Sequence, residues 1–315
     1  MKIVIVTPAK AGSRHGNRNT AARWASLLRA LGHRVTVAVS WDGTAADLMI
    51  ALHARRSYDS IRRFAAACPE RPLVVTLTGT DLYRDIALEP DARRSLQLAT
   101  RLVVLQDRAL AELAPPLRRK TRVIYQSARV PAAATPLKTR FEIVVCGHLR
   151  EEKDPFRAAA ALAFLPPDSR IRVTHLGGAM TPDMAHAARA WAAREPRYRW
   201  LGELPHWKAM QRLVRSRLMV ISSRMEGGAN VVSEALAAGV PVIASRISGN
   251  IGMLGARYAG YYPVGNERPL ARLMRRAESK PAYYSALKAQ IRKRRHLVTV
   301  QRERDSLRKL LAELG

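Results

Sequence analysis

Two hydrophobic periods alternate along the chain. Short β-branched apolar runs occur at KIVIVT, HRVTVAVS, DLMIAL, PLVVTLT, RLVVLQ and RVIYQS, with stretches of helical spacing between them. In NTAARWASLLRALG the apolar residues Trp24, Leu27, Leu28 and Leu31 fall at i, i+3, i+4 and i+7, and Gly32 closes the element. Such a face packs into a core. Strands separated by helices predict parallel pairing with helices on both faces of each sheet, because a parallel connection needs a long crossover. The rhythm breaks at ARVPAAATPLKTR, residues 128–140, a proline- and alanine-rich stretch with neither period, which reads as a linker. It resumes in FEIVVCG, RIRVTHLGG, YRWLGEL, RLMVISS, VPVIAS and AGYYPVG. The expected organisation is an N-terminal Rossmann-like domain over residues 1–135 and a second over 136–290. A basic C-terminal helix over 291–315 is expected to pack back on the domain junction.

Two stretches of the second domain carry candidate chemistry. In MEGGANVVSEALAAGVPVIAS a helix is predicted from Asn230, a capping residue, to Gly239, with Pro241 opening the next strand. Glu226 then sits in the approach loop, Gly227 and Gly228 permit close backbone approach, and Glu234 projects from about the second helical turn. A glycine-rich entry ahead of free helix N–H groups suits a phosphate. In CGHLREEKDPFRAAAAL a strand ends at Cys146, Gly147 turns, and Lys153 precedes a helix expected to begin around Asp154 and Pro155. Two helix N-termini and a lysine would hold a diphosphate. Each terminus contributes about 0.3–1 kcal/mol to an anion, and a charge-assisted contact about 1.5–3 kcal/mol. The bland alternatives are a solvated glutamate, an ordinary glycine turn and a lysine that merely precedes a helix. The conjunction of the two stretches favours a nucleotide site.

Composition narrows the classes. A chain of 315 residues, 48% of them apolar, suffices for two cores. The first apolar run is too short for a signal sequence, and no run of about 18 apolar residues occurs, so no membrane span and a cytoplasmic location are expected. Cys68 and Cys146 lie far apart without metal-ligand spacing. The net charge of +29, from 54 Lys and Arg against 25 Asp and Glu, admits a nucleic-acid footprint. However, arginine runs through nearly every segment, and no zinc-finger, RRM-like or basic-zipper pattern accompanies it, so no nucleic-acid partner is expected. Dispersed charge of this kind steers small anionic substrates. The densest cluster, IRKRRH at 291–296, keeps a claim on an acidic partner. There is no GxGxxG after the first strand and no GxxxxGK[ST], HExxH, CxxC, GxSxG or Asp-x-Asp. Dinucleotide oxidoreductase, P-loop and metal-dependent readings are therefore poor, and neither a metal nor a cofactor is expected.

The order of these features resembles the family-4 retaining glycosyltransferases of the GT-B fold. The likeness rests on a strand, Gly147 and the basic loop with Lys153, then Glu226-x7-Glu234 followed by AAGVPVI, and it covers both domains in order. It implies an α/β protein with two Rossmann-like domains whose parallel sheets face a central cleft, the second domain holding a nucleotide-sugar. It further implies that Glu234 bonds the ribose hydroxyls, and that Glu226 and the backbone of Gly227, Gly228, Ala229 and Asn230 meet the sugar and the β-phosphate. Lys153 would neutralise the leaving diphosphate. Gly147 and His148 fall on the donor turn, and Gly202, Glu203 and Leu204 on the segment whose backbone reads the base. There are two departures. His148 stands where the family has an arginine, leaving Arg150 to supply the second positive charge, and Ser248–Gly252 offers backbone amides where a glutamate is usual.

The first domain points to the acceptor. Lys10, Ser13, Arg14, Gly16, Asn17 and Arg18 crowd a loop immediately ahead of a helix, which suits a small anion; the alternative is a solvated basic loop with an asparagine cap. The loops GSRHGNRNTAARWA, LTGTDLYRD and VIYQSA together are similar to the selenosugar synthases of selenoneine biosynthesis. That similarity implies transfer of N-acetylglucosamine or glucose from its UDP form to selenophosphate, giving a 1-selenosugar, UDP and phosphate. It implies that Lys10, Ser13, Arg14, Asn17 and Arg18 bind the phosphoryl oxygens, that Thr78, Thr80 and Asp81 line the reaction centre, and that Lys153 and Arg150 stabilise the departing UDP. It also makes the downstream selenoneine synthase a partner. An anionic, soft nucleophile needs no general base. The rival readings are a family-4 transferase acting on a hydroxyl acceptor of a surface glycan or lipid-linked precursor, a UDP-sugar epimerase, and a non-catalytic nucleotide-sugar or nucleic-acid binder.

Overall fold

A computed structural model describes residues 1–9, 16–132, 134–136 and 139–315. All twelve apolar runs form strands, and every strand pairs in parallel. The chain divides into two compact units. One comprises Met1–Gln126, Glu226–Ala229 and Val300–Gly315, and the other Ser127–Met225 and Asn230–Thr299. The segment 291–315 is thus shared: the Pro281–Arg294 helix ends in the second unit, and the Val300–Ala312 helix belongs to the first.

The first unit holds β1 (Lys2–Val6), β2 (Arg34–Ala38), β3 (Leu48–Leu52), β4 (Leu73–Leu77), β5 (Arg101–Val104) and β6 (Thr121–Val123), in the order β2-β1-β3-β4-β5-β6. Alternate side chains divide between two cores, as the period of two requires. Val4, Met49, Ala51, Leu73 and Val75 join Ile61, Phe64 and Leu96 from the Tyr58–Ala67 and Pro90–Leu98 helices on one face. Ile3, Ile5, Leu48, Ile50 and Val74 join Trp24 and Leu28 from the Gly16–Ala30 helix, and Leu307 and Leu310 from the last helix, on the other. Buried on both faces, β3 and β4 read as unbroken apolar runs rather than alternating ones. The last helix is tied down by Glu303, which is fully buried and accepts from Arg23 Nε at 3.0 Å and Trp24 Nε1 at 2.8 Å.

The second unit holds β7 (Phe141–Cys146), β8 (Ile171–Leu176), β9 (Tyr198–Trp200), β10 (Leu218–Ile221), β11 (Val242–Ser245) and β12 (Tyr261–Tyr262), in the order β12-β11-β10-β7-β8-β9. Counted from β7, this is the strand order of doubly wound dinucleotide-binding sheets. Each unit thus carries a six-stranded parallel sheet, as the GT-B resemblance implies.

One expected boundary moves. The helix predicted from Asp154 and Pro155 begins at Arg157, and Lys153 closes a separate 3-10 turn at Glu151–Lys153. Asp154 is left-handed, with φ +44°, and a left-handed residue cannot continue a right-handed helix. Its carboxylate instead pairs with Arg157 at 2.9 Å.

Candidate functional site

The second sheet reverses between β7 and β10. From β7 the chain moves outward to β8 and β9, whereas β10 leads to β11 and β12, so the loops leaving these neighbours diverge at their carboxyl ends. A ligand crevice forms at such a point. The exit from β7 is the Gly147 turn, whose carbonyl accepts from His175 Nε2 at 3.1 Å, while His175 Nδ1 accepts from the Tyr198 hydroxyl at 3.0 Å. Burial lowers the His175 pKa to about 4, so the ring is neutral at pH 7. Gly177 crosses the same turn at φ +150°, and a Cβ there would lie 1.9 Å from the Gly147 oxygen. His148 follows, and its Nδ1 accepts the Gly178 N–H at 3.2 Å, which puts the ring proton on Nε2. A half-buried imidazole therefore occupies the place where an arginine was expected.

Beyond it, Arg150 is half-buried, and its Nε is buried with no hydrogen-bond partner among the described residues. The Lys153 turn is stitched to the end of β10. The Ser222 hydroxyl donates to the carbonyls of Lys153 and Asp154 at 3.0 and 2.8 Å, and the Arg224 N–H donates to Glu152 at 2.8 Å. Glu234 lies in the second turn of the Asn230–Ala238 helix. Its side chain is 17% exposed, and its Oε1 accepts from His206 Nε2 at 2.9 Å. That bond raises the His206 pKa. Burial, and then the charge of Glu234, push the Cys146 thiol up, which puts this carboxylate within electrostatic reach of the end of β7. Gly202, Glu203 and Leu204 leave β9 just ahead of the helix His206–Arg215; exposed Glu203 lies near His148, both within 3.5 Å of a Cβ built on Gly178. Among the described residues no group of three or more His, Cys, Asp or Glu could hold a metal ion.

Glu226, Gly227, Gly228 and Ala229 are buried, and they pack with the first unit. The two glycines do meet something closely, and it is protein. A Cβ on Gly227 would lie 2.4 Å from the Thr78 carbonyl oxygen, and one on Gly228 2.6 Å from Leu105 Cβ. The turn they rest on is held by Asp81, fully buried, whose carboxylate accepts from the N–H groups of Thr78, Gly79 and Ala54 at 2.9, 2.8 and 3.1 Å. Asp81 thus acts through the loop, and the half-buried Thr78 and Thr80 are what the loop presents. The Thr80 hydroxyl is 3.1 Å from His53 Nε2. Because His53 Nδ1 accepts from the Arg56 N–H at 3.3 Å, Nε2 carries the proton and donates to Thr80. His53 is buried at φ +74° directly after β3, beside the point where the first sheet reverses between β1 and β3. A strained non-glycine residue in such a place is a mark of function. Gly16, Asn17 and Arg18 form the first turn of the Gly16–Ala30 helix, while Lys10, Ser13 and Arg14 lie outside the described residues.

The sequence profile of the glycosyl transferases group 1 family matches residues 130–294, just over half of the chain. The chain belongs to this family. Solved structures agree on the fold of this glycosyltransferase. It aligns over 100% of both chains with Anabaena Alr3699/HepE in complex with UDP and glucose, at 17% identity and a TM-score of 0.80. With the sucrose-phosphate synthase tll1590 of Thermosynechococcus elongatus it shares 16% identity over 99% and 98% of the two chains, with a TM-score of 0.77. A glycosyltransferase of Rickettsia africae ESF-5 aligns over 99% and 98% at 13% identity and a TM-score of 0.75. No curated protein sequence matches the chain.

The matched region of this glycosyltransferase spans Gly147, His148, Arg150, Lys153, Gly202 and Glu234. They include a cationic turn fixed to β10 and a carboxylate within reach of β7's end, a combination that suits a nucleoside diphosphate. The residues that sequence reasoning missed are histidines. His206 and His53 find their partners 28 and 27 residues away, so no local motif announces either.

Proposed function

We propose that this glycosyltransferase moves a hexosyl group, N-acetylglucosamine or glucose, from a UDP-sugar to selenophosphate. The observation that carries the donor half is the Lys153 turn, stitched to β10 in a unit whose Glu234 helix follows the same strand. Glu234 accepts from the ribose hydroxyls, and the Glu226–Asn230 backbone follows the sugar and β-phosphate. Lys153 and Arg150 meet the negative charge that builds on UDP as its bond to C1 breaks. The Alr3699/HepE complexes with UDP and glucose and with UDP-glucose support a UDP-linked donor.

The acceptor half rests on the loops GSRHGNRNTAARWA, LTGTDLYRD and VIYQSA. The first turn Gly16–Arg18, at a helix N-terminus without acidic residues, suits a phosphoryl group. Lys10, Ser13 and Arg14 precede it in the sequence, and Thr78 and Thr80 line the reacting centre. Selenium attacks C1, the C1–O bond to the diphosphate breaks, and UDP leaves with the electron pair. Water then cleaves the P–Se bond to give phosphate and the 1-selenosugar. The nucleophile is already anionic, so no base is needed, and the chemistry calls for neither metal nor cofactor. The product passes to a selenoneine synthase.

Initial-rate kinetics of UDP release test this reading. With a UDP-sugar alone the rate stays at background, and selenophosphate raises it in a saturable way. UDP release that requires a hydroxyl acceptor instead would return the enzyme to the ordinary sugar transferases. A rearranged UDP-sugar without acceptor would mark an epimerase.

A further inference from the structure

We infer that His206 is a positioning residue that makes the nucleotide site select ribose over deoxyribose, acting through Glu234; the inference rests on the nucleotide-sugar reading above. A glutamate on a helix surface has several rotamers, and only some aim its two oxygens at one ligand. Here Oε1 is held by the imidazole N–H at 2.9 Å. The imidazole has a firm base, because the His206–Arg215 helix buries Met210, Leu213 and Val214 and packs against the Asn230–Ala238 helix that carries Glu234. His206 therefore holds the carboxylate in place from one side, leaving Oε2 and the second lone pair of Oε1 to accept.

A ribose offers two adjacent hydroxyl donors, which match two carboxylate oxygens held in one plane. A 2′-deoxyribose offers one, and leaves a partly buried acceptor unmatched. The same pair contributes little to folding, because His206 is 63% exposed and an ion pair so open to water is weak. Its consequence lies in orientation. The histidine is invisible as a site residue in the sequence, where it stands as an isolated polar residue at a helix start.

The test is calorimetric titration of the full chain with UDP and with 2′-deoxy-UDP, for the wild type, His206→Ala, His206→Gln and Glu234→Gln. The wild type is expected to prefer UDP by about ten- to hundredfold. In His206→Ala the preference falls to about threefold or less, while 2′-deoxy-UDP binds within about twofold of its wild-type affinity. His206→Gln, which keeps an N–H donor, recovers most of the preference, and Glu234→Gln abolishes it. Undiminished selectivity in His206→Ala would overturn the inference, as would an equal loss of both nucleotides, which would mark a structural role. A wild type that binds neither nucleotide would overturn the nucleotide reading itself, and the two failures are distinguishable.

Discussion

Gly177, packed on the Gly147 turn, has no room for a methyl group. With a Cβ at position 177 placed 1.9 Å from the Gly147 oxygen and φ at +150°, Gly177→Ala is expected to cost at least about 2 kcal/mol in denaturant unfolding. His175 beneath the turn makes stability depend on pH. Its pKa falls from 6.5 to about 4 on folding, so between those values the unfolded chain binds the proton and the folded one does not. Stability is therefore lost as pH falls through that window, by up to about 1.4 kcal/mol per pH unit and about 3 kcal/mol in all. The difference in unfolding free energy between wild type and His175→Phe, measured from pH 7 to pH 4, should show this slope; a flat difference would contradict it. Removing the Lys153 ammonium is expected to lower kcat about a hundredfold with a smaller effect on KM, and an unchanged kcat would remove Lys153 from leaving-group stabilisation. At this scale the sequence was legible where a role sits inside one motif. Glu234 and Lys153 could be singled out because glycines and helix signals flank them, whereas His206 meets its partner through helix packing and His175 through the pairing of β7 with β8.

Elements were legible wherever a period ran long enough. The central strands were written as short apolar runs, because they are buried on both faces. The break at residues 151–156 was not, since proline after aspartate looks like a helix start, and only the left-handed Asp154 shows that it is a turn. The last helix was expected to pack back, but what anchors it was equally hidden. Its anchor is the buried Glu303, shared between Arg23 and Trp24, some 280 residues earlier. Removing one partner of a buried pair leaves the other uncompensated, so Glu303→Ala is expected to destabilise the first unit by about 3–5 kcal/mol. Thermal unfolding checks this, and a melting temperature within a degree or so of wild type would show that the helix is held by its apolar face alone.

For the whole molecule, the Lys and Arg behind the net charge of +29 run through nearly every segment of the chain. Even in the 291–296 cluster Arg294 is engaged, donating to the Met253 carbonyl at 3.1 Å, while Arg292, Lys293 and Arg295 are exposed. Such a field acts on how fast anionic substrates arrive. Raising ionic strength from about 0.05 to 0.5 M is expected to lower kcat/KM several-fold with little change in kcat. The fold was readable from the sequence because two parallel sheets repeat one simple pattern. The proposed acceptor rests on sequence resemblance, and Lys10 to Arg14, which carry part of it, lie outside the described residues. The most direct test of the account is the mass spectrum of the products formed from UDP-N-acetylglucosamine or UDP-glucose, with and without selenophosphate. A selenium isotope pattern on a hexose, formed with one UDP per product and only when both substrates are present, is the predicted result. UDP release without any selenium-bearing hexose would contradict it.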